Sequence, residues 1–229
     1  YYNFNNINKC EIYHMGFDIH KNYLYSLLGK NHNLKMYRYN QSSSYTYENK
    51  IIIHYFSAKA LGNSLLSDNK NIPKMIYDEI ISFNLDEDRT LYLNFNYENH
   101  IRPSNNFHRP KPICHGMNKT EWMNSNNIVI MSNYRDIPEE SFFWRSMNIN
   151  VDKNYRDTNI KIQFSARSCL RTESNDDVNI YVIDKQSADN ISNRLKEYIC
   201  IVDTNLHNVC GIKTPRKNQT KITTKEKEK

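Results

Sequence analysis

The sequence predicts a mainly β protein: a two-layer antiparallel β-sandwich with two short covering helices. Three observations carry this expectation. Two segments alternate apolar and polar residues at period two, six more short runs have strand composition, and only two stretches show helical spacing. Short strands with one wet face suit antiparallel sheets packed face to face, and two helices suffice to cover their outer layers.

The elements are expected in the following order. Strand-like runs occupy Glu11–Ile19, Leu34–Tyr39 and Lys50–Ser57. In "NIPKMIYDEIISFN", Pro73 falls in a first helical turn, and Ile76, Ile80 and Phe83 recur at i, i+4, i+7 along one stripe. Asp86, Glu87 and Asp88 then form a solvated turn before "RTLYLNFNYEN", where Leu91, Leu93, Phe95 and Tyr97 face a core and Tyr92, Asn94 and Asn96 face water. The Pro-rich, basic stretch Arg102–Met117 reads as a surface loop. A strand at Asn127–Ser132 follows, and Glu139 and Glu140 after Pro138 mark a helix or turn start. "NIKIQFSARSC" alternates Ile160, Ile162, Phe164 and Ala166 with Lys161, Gln163, Ser165 and Arg167, the signature of a half-buried strand. After a strand at Val178–Ile183, "QSADNISNRLKEYI" offers Ser187 as N-cap and Ile191, Leu195 and Tyr198 on one helical face. A last strand is expected at Tyr198–Asp203.

With 229 residues the chain can bury one core. Residues 1–212 are expected as a single domain and 213–229 as a basic disordered tail, because "KTPRKNQTKITTKEKEK" has almost nothing to bury. The tail carries much of the net charge of +6, and no basic stripe interleaved with aromatics accompanies it, so nucleic acid is excluded as a partner. No apolar run reaches the roughly 18 residues of a membrane span. Cys10, Cys114, Cys169, Cys200 and Cys210 lack Cys-x-x-Cys spacing and suit long-range disulfides, with one thiol left over. Sequons at Asn40, Asn118, Asn190 and Asn218 point with them toward a secreted glycoprotein; the start at Tyr1 without a signal pattern fits a trimmed product.

No catalytic constellation emerges. Eight scattered histidines form no metal-ligand spacing, and there is no nucleophile elbow, dinucleotide fingerprint or Walker loop. The expectation is a non-enzyme without metal or cofactor. Seventeen tyrosines, several between Tyr23 and Tyr47, instead suit a recognition surface.

The opening "CEIYHMGFDI" resembles the Cys…His-Met-Gly-Ile-Asp-Val start of the poxvirus secreted CC-chemokine inhibitors, and "YSLLGKNHNLKMY" resembles their following Tyr-Ser-Ile-Ile-Gly…Leu-Arg-Met segment. "IPKMIYDEIISFNLDEDRTLYLNFN" is similar to their helix-then-strand unit, and "RDTNIKIQFSARSCLRTE" to their strand ending in Cys. The resemblance implies a poxvirus immune-evasion β-sandwich that captures a host chemokine or cytokine and blocks its receptor. It implies ligand contacts at Tyr25 and Lys35; pattern adds Tyr37 and Arg167. Arg102, Arg109 and Lys111 are candidates for glycosaminoglycan. The family's long acidic loop is missing after Ile19, Lys35 replaces its ligand-facing arginine, and Phe95 and Tyr155 stand near family cysteines. A basic chain without that loop is expected to capture basic chemokines less readily, which keeps a protein retaining MHC class I in the endoplasmic reticulum lumen as the alternative. An enzyme is the remote one.

Overall fold

The computed structural model describes residues 48–69, 71–93, 106–110, 120–134, 138–149, 152, 154–172, 174–196 and 198–211. Along them run β1 (Ile51–Tyr55), α1 (Asn63–Asp68), α2 (Asn71–Ser82), β2 (Thr90–Leu93), β3 (Asn127–Ile130), α3 (Pro138–Ser146), α4 (Tyr155–Ser165), β4 (Val178–Val182), α5 (Lys185–Arg194) and β5 (Cys200–Asp203). The strands form one five-stranded sheet in the order β2-β3-β4-β1-β5. Every pairing is parallel: Ile51 lies opposite Val178 and Cys200, Thr90 opposite Asn127, and Asn127 opposite Asn179.

This overturns the expected antiparallel sandwich. Parallel strands carry helices on both faces and are apolar nearly throughout, as "IIIHY", "NIVI" and "VNIYV" are. Ile51, Ile53, Val178, Ile180 and Val182 pack with Ile160 and Phe164 of α4 and Ala188 and Ile191 of α5 on one face. On the other face, Val129, Tyr181 and Ile183 pack with Leu61, Leu66 of α1 and Ile72, Ile76 and Ile80 of α2. The result is an α/β/α arrangement with two cores rather than a sandwich with one.

Two segments read as half-exposed strands behave differently. All four residues of β2 are buried, and Tyr92, expected in water, is 2 % exposed and stacked on Phe107 at 6.0 Å; Phe95 and Tyr97 lie outside the described residues. The "NIKIQFSARSC" segment is mostly helix α4. Ile160 and Phe164 satisfy both an alternating pattern and an i, i+4 helical one, and the sheet takes the helical solution because they then meet the same apolar face. The same winding carries Lys161 inward.

The other expectations fare better. The helix expected from the Ile76 and Ile80 stripe is α2, and strands form at 51–55, 127–130, 178–182 and 200–203. Pro138 opens α3, and Asp86 caps a 3-10 turn at Glu87–Arg89. The helix expected with Ser187 as N-cap is α5, but its cap is Asp184, whose side chain accepts the Ser187 N–H, and it ends at Arg194, so that Tyr198 lies beyond it. Cys169, Cys200 and Cys210 are free thiols, not the disulfide partners expected; Cys10 and Cys114 lie outside the described residues.

Candidate functional site at the carboxyl ends of the strands

The strand order creates a particular place. β1 and β4 are neighbours, yet the chain leaving β1 forms α1 and α2 on one face, while the chain leaving β4 forms α5 on the other. Where outgoing connections part in this way, a crevice opens beyond the carboxyl ends of the strands, and open α/β sheets place their ligands there. Here that crevice is bordered by Ser57 after β1, Asn133 after β3 and Asp184 after β4.

The side chains that converge on it are buried and polar. Lys161 of α4 is fully buried, and its Nζ donates to Asn133 Oδ1 at 2.6 Å, Asp157 Oδ2 at 2.7 Å and Ser187 Oγ at 2.7 Å. An ammonium has three N–H donors, so all are used. Ser187 Oγ donates in turn to Asn133 Oδ1 at 3.1 Å, and Asp157 Oδ1 accepts the Tyr134 N–H at 2.6 Å. Asp184, 1 % exposed, accepts the Ser187 N–H on Oδ1 at 2.8 Å, and on Oδ2 the Leu61 N–H at 2.8 Å and Asn133 Nδ2 at 3.1 Å. Asn133 Nδ2 also donates to the Leu61 carbonyl at 2.6 Å. One ammonium and two carboxylates therefore share a buried network tied at every corner.

What this arrangement can do chemically is limited by its own satisfaction. Ser187 and Lys161 stand at the spacing of a Ser-Lys hydrolytic pair, but an amine with every N–H donated has no lone pair to take the serine proton, and Ser187 Oγ points its proton at Asn133. The cavity bounded by Asn133, Asn154, Asp157, Asp184, Gln186 and Ser187 holds about 20 Å³, room for one water and not for a small-molecule substrate. A wider recess of about 420 Å³ beside Arg89, Asn124, Cys169 and Asp176 lies at the opposite, amino-terminal edge of the sheet. There the Arg89 guanidinium bonds Asp176 at 2.5 Å and holds its carboxyl below the ordinary range.

The chain leaving β1 carries a second signal. Ser57-Ala-Lys-Ala-Leu-Gly-Asn-Ser64 runs from the strand to α1, with Gly62 as N-cap of the helix. Its spacing is that of the phosphate-binding loop G-x-x-x-x-G-K-[ST], which likewise follows a strand and opens a helix. Gly62 and Ser64 match; Ser57 replaces the first glycine and Asn63 the lysine. Two matches in four fixed positions say little in sequence alone, and the absent lysine hides the motif. The strand before it and the helix after it supply the context.

The residues expected to bind ligand are not gathered here. Tyr25, Lys35 and Tyr37 lie outside the described residues, as do Arg102, Lys111, Asn40, Asn118 and Asn218. Arg167 is 6 % exposed, its guanidinium 6.0 Å from the Phe164 ring; Asn190, expected only as a glycosylation site, is half-buried on α5 and does line the small cavity. Arg109 is exposed and sits 5.8 Å over Tyr92. Among the described residues no group of three or more His, Cys, Asp and Glu side chains has metal-binding geometry, and no helix is long and apolar enough to cross a membrane. Comparison of the chain with known protein families, with curated proteins and with solved structures found no match.

Proposed function

We propose that this chain is a phosphate-loop-type α/β domain without the residues of nucleotide hydrolysis, acting through contacts rather than turnover. The observation that supports it most is the strand-loop-helix unit of β1, Ser57–Ser64 and α1, set beside the switch point of a parallel sheet. Phosphoryl transfer in such a domain needs the loop lysine on the β- and γ-phosphates and a strand-end aspartate for Mg²⁺. Position 63 is Asn, the residues leaving β3, Met131, Ser132 and Asn133, include no carboxylate, and the one at the end of the neighbouring β4, Asp184, has both oxygens engaged by the Ser187 N–H, the Leu61 N–H and Asn133 Nδ2. Ser132 is fully buried, and its hydroxyl is without a hydrogen-bond partner.

The test is phosphate release from Mg·ATP and Mg·GTP by the purified protein, expected at the buffer background. Turnover that disappears in Ser64→Ala would overturn the reading. Capture of a host chemokine or cytokine, the expectation drawn from the resemblance, has no observation among the described residues to favour it.

A further inference from the structure

We propose that the Asp184 carboxylate is a resident anion of this loop: it takes the Leu61 N–H that a phosphate would take, and so closes the crevice to polyphosphate ligands such as nucleoside triphosphates. The inference rests on the phosphate-loop reading and concerns how that same site is regulated.

Phosphate loops hold their ligand through successive backbone N–H groups just before the helix, and Leu61 immediately precedes the matching Gly62. Its N–H does not face an open space but a buried carboxylate oxygen at 2.8 Å. Asp184 reaches it from the end of the neighbouring strand, held by the Ser187 N–H and by Asn133. Other loop donors are also taken internally: the Ala58 N–H by the His207 carbonyl at 3.2 Å and the Lys59 N–H by Ser57 Oγ at 3.1 Å. The Ser57 carbonyl accepts the Lys185 N–H at 2.9 Å, tying the first loop residue to the start of α5. A phosphate entering would meet a second anion at its first donor, and the adjoining cavity of about 20 Å³ leaves it no alternative seat. The buried ammonium of the same network, Lys161, is committed to Asp157, Asn133 and Ser187. Among these occupied donors the Leu61 N–H is the one held by a charged group, so the carboxylate placed by β4 supplies the electrostatic part of the closure, while the missing lysine lowers affinity separately.

The experiment compares the natural chain with Asp184→Asn, Asn63→Lys and Asn63→Lys/Asp184→Asn, with folding of each checked by circular dichroism. Asparagine keeps an oxygen for the Ser187 N–H but turns a donor toward Leu61, which releases the loop. Binding of Mg·ATP and of pyrophosphate is read by calorimetry, and exchange of the Leu61 amide proton by NMR. The expected result is no binding to the natural chain at millimolar ligand, at least ten-fold tighter binding by the double variant than by Asn63→Lys alone, and a Leu61 amide protected in the natural chain and exposed in Asp184→Asn. Equal binding by Asn63→Lys and the double variant overturns the closing role while the phosphate-loop reading stands. Absence of binding by a folded double variant overturns both. A Leu61 amide that exchanges freely in the natural chain overturns the closing role even if Asp184→Asn does not fold.

Discussion

The most exacting residue in the molecule is Lys161. An unpaired ammonium with no exposed surface would cost several kcal/mol, and it is tolerated because Asp157, four residues earlier on α4, and two further oxygens use all its donors. Removing one member of such a pair strands the other. Lys161→Met is expected to lower stability by about 3 kcal/mol or more in urea unfolding. Lys161→Met/Asp157→Asn should cost clearly less than the sum of the two single changes, because the neutral amide leaves no carboxylate unpaired; additive costs would mean that the two groups are not coupled. Ser132 presents the opposite case. Its buried hydroxyl lacks a partner, so Ser132→Ala should raise the urea midpoint, by about 1 kcal/mol in stability; a loss of that size would reveal a bond to the hydroxyl.

At the scale of elements, burial separates helices that the fold leans on from one it does not. Ile76 of α2 is fully buried between Ile72 and Ile80, and Ile76→Ala is expected to cost about 2–5 kcal/mol through lost contact and the cavity left behind. On α3 no side chain is buried, and Phe142 is 75 % exposed, so Phe142→Ser should change stability by less than about 0.5 kcal/mol. The same contrast explains what the sequence could show. α2 was legible because its apolar stripe has one period only. α4 was not, because Ile160 and Phe164 fit two periods and nothing local chooses between them. Reading α4 as a strand put Lys161 on a wet face and hid the centre of the polar network. Ser187 was expected as the cap of the helix that Asp184, three residues earlier, in fact caps, so Asp184 was missed, and Asn133 offers no local signal at all.

At the scale of the whole molecule, parallel topology was written in the continuous apolar runs of β1, β3 and β4 and in the helices between strands, but two-fold alternation elsewhere drew the reading toward antiparallel sheets. Layers on both faces of the sheet also bury groups that a sandwich would leave wet, and this sets how the fold responds to alkali. Tyr181 lies under α2, stacked against His54 at 4.7 Å and Phe83 at 5.6 Å. Burial, and secondarily the Asp203 carboxylate, push its hydroxyl from 10.0 up to about 12. Burial alone pushes the Cys210 thiol, in the same core, from 9.0 up to about 12. Both acids ionise first in the unfolded chain. Their stabilising contribution is therefore complete below pH 9 for Cys210 and below pH 10 for Tyr181, and is lost as pH rises toward about 12. Each group steepens the decline by at most about 1.4 kcal/mol per pH unit. Urea midpoints measured from pH 8 to about pH 11.5 should fall more shallowly in Tyr181→Phe and in Cys210→Ala than in the natural chain. Parallel slopes in all three would mean that neither group is sealed from solvent by the second helical layer, and that the face of the sheet carrying α2 is more open than its packing indicates.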